Sequence, residues 1–214
     1  MTAIDPITLE VMWNRLISVV NEQATALMRT SFTTIVRESG DLSAGVFDTH
    51  GNMVAQAVTG TPGHINAMAT CIHHFLAVYP ASSLKPGDVL ITNDPQKTSG
   101  HLHDFTVITP IFMEERLVGY FGNTCHVLDI GGRGLGTDAR SVFEEGLFVP
   151  ITKLYDAGRE NSELMKLIAA NVRAPEPVLG DIHAQVAGND VGGRRLVEFM
   201  QEFGLESIDP LGEE

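Results

Sequence analysis

From Pro6 to about Thr30 apolar residues recur at helical spacing: Ile7, Val11, Leu16, Val20, Ala24 and Leu27, with polar Asn14, Glu22 and Gln23 between them. This predicts one long amphipathic helix, opened by a proline suited to a first turn. The period then shortens to two. Leu42–Phe47 and Met53–Ala57 flank the turn Asp48-Thr49-His50-Gly51-Asn52 and read as a β-hairpin. After the loop Thr59–Gly63, His64–Tyr79 returns to helical spacing, with Ile65, Met68, Ile72 and Phe75 on one side and His73 and His74 at the surface. Val89–Thr92 is a strand. Phe105–Phe112 and Leu117–His126 form a second hairpin about Met113–Arg116. A short strand ends at Tyr155. A helix spans Ser162–Asn171, with Ser162 as its N-cap, and a last helix spans roughly Val178–Phe203. Gly188, Gly192 and Gly193 in that helix imply close packing against another element. The fold class expected is α+β: antiparallel hairpins forming a mixed sheet, packed with several helices. Residues 1–206 are expected to form one part, and 207–214 a flexible acidic tail.

At 43% hydrophobic and 19% charged, the 214 residues can bury a core, which excludes a disordered chain. No apolar run reaches the ~20 residues of a membrane span. Met1–Asp5 lacks the features of a secretory signal, so a soluble cytoplasmic protein with no membrane partner is expected. The net charge of −13 and scattered basic residues argue against nucleic acid. Cys71 and Cys125 form no CxxC pair and are expected to be free thiols. Cys125 precedes His126, but neighbouring strand residues point to opposite faces, so direct cooperation is not expected.

The densest chemistry lies in Asn93–Asp104, which carries Asp94, His101, His103 and Asp104. His101 and Asp104 can reach one point from a bend before a strand. The hairpin turn lies midway between Asp104 and His126, so antiparallel pairing brings both to one end of the sheet. Asp41, at the mouth of another strand, can complete the set. Two imidazoles and two carboxylates suit zinc, manganese or iron(II) at the sheet rim. A hydrogen-bonded turn network is the alternative. His64 begins a helix where it can face a cleft, Asp94 before Pro95 can shape its turn, and His103 is expected to point away. Gly131–Gly136 lacks the Lys-Ser/Thr ending of a P-loop and reads as a flexible wall or lid.

These stretches resemble the N-terminal part of the hydantoinase B/oxoprolinase family. The matching segments are Ser39-Gly40-Asp41-Leu42-Ser43, Phe47-Asp48, Pro86-Gly87-Asp88, Asn93-Asp94-Pro95, Gly100-His101-Leu102-x-Asp104, His126 with Asp129-Ile130-Gly131-Gly132, Glu145-Gly146-Leu147, Asn171-Val172-Arg173 and Gly180-Asp181-Ile182-x-Ala184-Gln185. They follow the family's order across about residues 6–204. The family includes the B-type chains of ATP-dependent N-methylhydantoinases, the C-terminal half of 5-oxoprolinases and the large subunits of acetone and acetophenone carboxylases.

The resemblance implies Asp41, His101, Asp104 and His126 as ligands of one divalent metal: zinc, manganese or iron. It implies His64, Asn93 and Asp94 as further site residues, His64 toward the substrate and the other two as supports. The implied reaction is opening of a hydantoin, lactam or 5-oxoproline ring, with ATP bound by a hydantoinase A-like partner in a hetero-oligomer. Ketone carboxylation by an acetone or acetophenone carboxylase-like enzyme is the second reading, and a non-catalytic binding module the third. Two positions depart from the family's usual wording: His103, where proline is frequent, and Val127, where histidine or an aromatic is frequent. Family members often exceed twice this length, so a fragment, a split subunit or a truncated product is expected.

Overall fold

Asp5 caps the first helix: its carboxylate accepts from the backbone N–H groups of Ile7 and Thr8, and Pro6 fills the first turn. The structure, a computed structural model, describes residues 5–58, 61–134, 136 and 138–213. The first helix, α1, runs Pro6–Thr30. Its buried stripe starts at Met12 and continues through Leu16, Val19, Val20, Gln23, Ala24 and Leu27. Ile7 and Val11, expected on that stripe, are exposed, because the first turns lie beyond the core.

A short helix α2 (Thr34–Arg37) leads to the hairpin β1 (Leu42–Phe47) and β2 (Met53–Gln56). Helix α3 covers Pro62–Val78, beginning two residues before the expected His64, while Thr59 and Gly60 lie outside the described residues. Next come β3 (Val89–Thr92), β4 (Asp104–Met113), β5 (Arg116–His126), a single turn of helix α4 (Val142–Glu145), β6 (Thr152–Asp156) and β7 (Arg159–Glu160). Helix α5 spans Ser162–Asn171. Its N-cap is Asn161, not Ser162, since the Asn161 side chain accepts from the Leu164 N–H. Helix α6 runs Pro175–Phe203, three residues longer at its start than expected, because Pro175 suits a first turn. A last short helix, α7, spans Asp209–Glu213.

The fold class is α+β. The seven strands form one sheet in the order β2-β1-β5-β4-β3-β6-β7, and every described pairing is antiparallel. This corrects the expected mixed sheet: no described connection is a parallel crossover.

Alternation along the strands sorts side chains between two faces. Phe121 and Cys125 on β5 share a core with residues of α1 and α6, while Tyr120 packs with Phe47 of β1 and Met68, Ile72 and Phe75 of α3. From Tyr120 to His126 the even-numbered positions of β5 therefore face α3. Helix α6 lies close to the sheet through its glycines: a Cβ on Gly192 would sit 2.7 Å from the Phe121 ring, and one on Gly193 2.6 Å from Ile111 Cδ1.

Four buried amides tie α1 and α6 to the strands. Asn189 on α6 accepts through Oδ1 from Gln23 Nε2 at 2.6 Å and Asn123 Nδ2 at 2.7 Å. It donates through Nδ2 to Val107 O and Thr109 Oγ1 at 3.2 and 3.1 Å. Gln185 Nε2 donates to Phe105 O and Asn123 Oδ1, both at 2.8 Å. Gln23, read from the sequence as a polar spacer, is thus fully buried.

Residues 207–213 correct a second expectation. Instead of a flexible tail they pack Ile208 and Leu211 into the core beside α1 and β2. Asp209 accepts from the Thr49 N–H and Oγ1, both at 2.8 Å. Glu214 lies outside the described residues. No described helix is long and apolar enough to cross a membrane.

Candidate metal centre

Register places the central pair. Asp104 and His126 are direct partners at the ends of β4 and β5, and β1 pairs Leu42 with Cys125 on the other side of β5. The next step brings Asp41 beside His126, whose backbone N–H donates to Asp41 O at 3.2 Å. All three residues lie at one sheet end, and alternation turns the Asp104 and His126 side chains toward α3. There His64 arrives from the first turn of α3, and His101 from the bend before β4.

Asp104 is the hub. It is 0% exposed. Its Oδ1 is 3.1 Å from His126 Nδ1, and its Oδ2 is 3.1 Å from His64 Nε2 and 3.0 Å from His101 Nε2. Burial would raise its pKa, but the facing imidazoles of His126 and His64 hold the carboxyl well below the usual range. Despite these neighbours Oδ2 accepts no well-aligned hydrogen bond, and His64 Nδ1 is also buried without a partner. Asp41 stands slightly back, with Oδ2 3.9 Å from His126 Nδ1 and Oδ1 4.0 Å from His64 Nε2. Thr61 Oγ1 donates to Asp41 Oδ1 at 2.7 Å and fixes that carboxylate. Ligating atoms of His101, Asp104 and His126 all lie within 4.8 Å of one another.

Asn93 and Asp94, expected among the site residues, have other partners. Asn93 is fully buried. Its Nδ2 donates to Leu102 O and Leu147 O, and its Oδ1 accepts from Val149 N. It clamps the segment that carries His101. Asp94 shapes its turn, accepting from Gln96 N and pairing with Lys97 at 3.1 Å. These bonds engage both side chains away from the cluster.

Two residues of the cluster depart from what the sequence suggests. His103 does not point away. It is 2% exposed and stacks on His126, with centroids 5.2 Å apart and planes 6° from parallel. Burial, then the nearby His126 and His101, lower its pKa, so the ring is neutral near pH 7. Glu145, at the end of α4, accepts the Leu102 N–H at 2.7 Å and reaches to 3.9 Å of His101 Nδ1 and 3.7 Å of His103 Nδ1. Its one sequence signal is its place in the Glu145-Gly146-Leu147 match.

The glycine-rich stretch is pinned at its start rather than built as a lid. Arg173 pairs with Asp129 at 2.7 Å and donates to the carbonyls of Gly131 and Gly132. A Cβ on Gly132, at φ +51°, would lie 2.3 Å from Glu145 O. Leu135 and Thr137 lie outside the described residues. Both cysteines are buried in the core. Burial pushes the Cys71 thiol up to about 12 and raises Cys125 well above its usual value. Neither is an activated nucleophile. A cleft of about 810 Å³ between α6 and strands β3 and β4 holds none of the cluster residues.

Comparison with known proteins gives a consistent picture. The family model described as Hydantoinase B/oxoprolinase matches residues 5–214. The putative B-type chain of a D-/L-hydantoinase from Pseudomonas sp. (strain NS671) is 31% identical over 99% of this chain and 37% of its own length. The 5-oxoprolinase of Saccharomyces cerevisiae is 34% identical over 96% of this chain and 17% of its own. The crystal structure of the ATP-dependent caprolactamase from Pseudomonas jessenii superposes with a TM-score of 0.87 at 28% identity, over 99% of this chain and 37% of that one. An acetone carboxylase structure shares the fold, with a TM-score of 0.83 at 23% identity, over 96% of this chain and 27% of that one. The chain therefore spans well under half the length of each of these proteins.

Proposed function

This chain belongs to the hydantoinase B/oxoprolinase family, and from that premise we propose that it is the metal-bearing part of an enzyme that opens cyclic amide rings together with an ATP-binding partner. The observation that carries the reading is Asp104: a fully buried carboxylate with three imidazole nitrogens at 3.0–3.1 Å and an oxygen lacking any well-aligned donor. Such a group is explained by an ion that draws the imidazole lone pairs and the carboxylate to one centre. The donor set, two imidazoles and two carboxylates, fits zinc, manganese or iron(II).

In this reading His101, Asp104 and His126 hold the cation, with Asp41 as the fourth ligand. When bound, a divalent ion supplies Lewis acidity toward a carbonyl oxygen and acidifies a water. The chain's own residues prepare for that chemistry. Asp104 remains charged and sets the orientation of three rings. Thr61 holds one oxygen of Asp41, leaving Oδ2 toward His126. His64 Nε2 faces both Asp104 and Asp41, where it can orient a bound substrate or hold a proton. Asn93 keeps the His101 bend in register with the segment before β6 through Leu102, Leu147 and Val149.

The assignment of ATP follows the caprolactamase that the chain superposes on, whose structure is named ATP-dependent. The names of relatives support a partner: one is the B-type chain of a hydantoinase, another the beta chain of a caprolactamase. The substrate class follows the hydantoinase, 5-oxoprolinase and caprolactamase relatives, whose names all denote cyclic amides.

The test is to purify the chain with its ATP-binding partner, quantify metals by elemental mass spectrometry, and assay ATP-dependent opening of hydantoin, lactam and 5-oxoproline. At least one equivalent of divalent metal is expected, and His126→Ala should remove that equivalent together with turnover. Ring opening in metal-free protein would overturn the metal reading. Turnover of a ketone with bicarbonate, and not of any cyclic amide, would replace it with the carboxylase reading. Tight partner binding without turnover of either class would leave a binding module.

A further inference from the structure

We propose that His101, His103 and Glu145 hold a second divalent cation beside the first, with His101 offering one ring nitrogen to each. This rests on the metal reading above and extends it. The three side chains present ligand atoms within 4.8 Å of one another. Glu145 Oε1 lies 3.7 Å from His103 Nδ1 and 3.9 Å from His101 Nδ1. Those separations are too long for hydrogen bonds. They match an ion held between the atoms, since two zinc–nitrogen or zinc–oxygen bonds of about 2.0–2.2 Å together span up to about 4.4 Å.

The independent observation is His103. Its ring is 2% exposed and neither nitrogen makes a hydrogen bond among the described residues, including Nδ1, the nitrogen that faces Glu145. A buried imidazole without hydrogen bonds calls for a ligand that the protein itself does not supply. The carboxylate opposite is held in place. Leu102 N donates to Glu145 Oε1 at 2.7 Å, and the close contact of Gly132 fixes the backbone behind it. His101 provides the junction: its Nε2 faces Asp104 at 3.0 Å while its Nδ1 faces Glu145. Its side chain is 41% exposed, so the pair of sites opens to solvent. Two imidazoles and one carboxylate, with open positions, make a borderline donor set of the zinc, cobalt(II) or manganese class.

The test titrates the chelator-stripped 214-residue chain with cobalt(II), read by calorimetry and visible absorption. Wild type should bind two equivalents. His103→Ala and Glu145→Gln should each bind one, as should His126→Ala, which removes only the first site. Glu145→Gln can still accept the Leu102 N–H, so it separates loss of a ligand from loss of the loop. One equivalent in wild type, abolished by His126→Ala and unchanged in His103→Ala and Glu145→Gln, would overturn the second site and leave the first standing. One equivalent that survives His126→Ala and disappears in His103→Ala would overturn the first site and sustain the second. No binding at all would overturn both.

Discussion

Asp104→Asn is expected to strip the ion of the proposed first site from the protein and to abolish the proposed ring opening by the complex. Asparagine keeps the shape of the side chain and loses the charge. Three imidazoles converge on the native carboxylate within 3.1 Å, so no other residue in the cluster can replace it as the common anion. Removing an outer support of a metal site typically weakens affinity about 10–100-fold, and loss of a direct ligand should exceed that. The fold should survive. Register at this position is set by the backbones of β4 and β5, and the Thr106–Thr124 pair further along, at 2.8 Å, is untouched. The penalty in stability should be about 1–3 kcal/mol, that of disturbing one buried polar group. Elemental mass spectrometry and circular dichroism on the same sample decide the matter. Native-like dichroism with one equivalent of metal fewer than wild type is the expected outcome, and an unchanged metal content in the variant would exclude Asp104 as a ligand.

The second large effect concerns folding. Asn189→Asp should destabilise the protein by about 3–5 kcal/mol, because it removes two donors and buries a charge. Asn189 is fully buried and every polar position of its amide is used. An aspartate leaves Val107 O and Thr109 Oγ1 without their donor. For a chain of this length each kcal/mol moves the melting temperature by roughly 2–4 °C, so a drop of about 10 °C or more is expected in thermal denaturation. Metal bound per folded molecule should not change, as the amides lie on the α6 face and the candidate metal centre on the other. A loss of under about 1 kcal/mol would show that the four amides do not fasten α6 to the sheet.

These two residues also mark the limits of reading the sequence. The strand ends and the nearness of Asp104 to His126 are legible because both follow from local periodicity. A period of two, with a turn at Glu114-Glu115, places Asp104 within one position of His126, and a bulge between Ile111 and Phe112 supplies the last step. The boundaries of α1, β1, β3 and α5 follow in the same way from caps, prolines and runs of apolar residues. What escapes depends on partners distant in the chain. Gln23 and Asn189 are 166 positions apart, and nothing local to either shows that it is buried. Glu145 lies 43 positions from the Leu102 N–H it accepts. The neighbourhood of His103 alone suggests an outward ring, whereas stacking on His126 turns it inward. Ile208 and Leu211 sit in a stretch acidic enough to read as solvated, yet two apolar side chains suffice to dock it.

The pairing of β4 with β5 carries one more implication. Side chains alternate along a strand away from its bulges, so a slip of a single position between Asp104 and Ile111 turns those residues to the opposite face. Only the native alignment sets the Asp104 and His126 side chains against each other on the α3 side. A mispaired molecule would therefore lose the whole constellation at once instead of presenting a distorted version of it. Assembly errors in this sheet would yield inert molecules rather than chains that sequester cations and react wrongly, so fidelity of strand pairing is itself a safeguard on the chemistry.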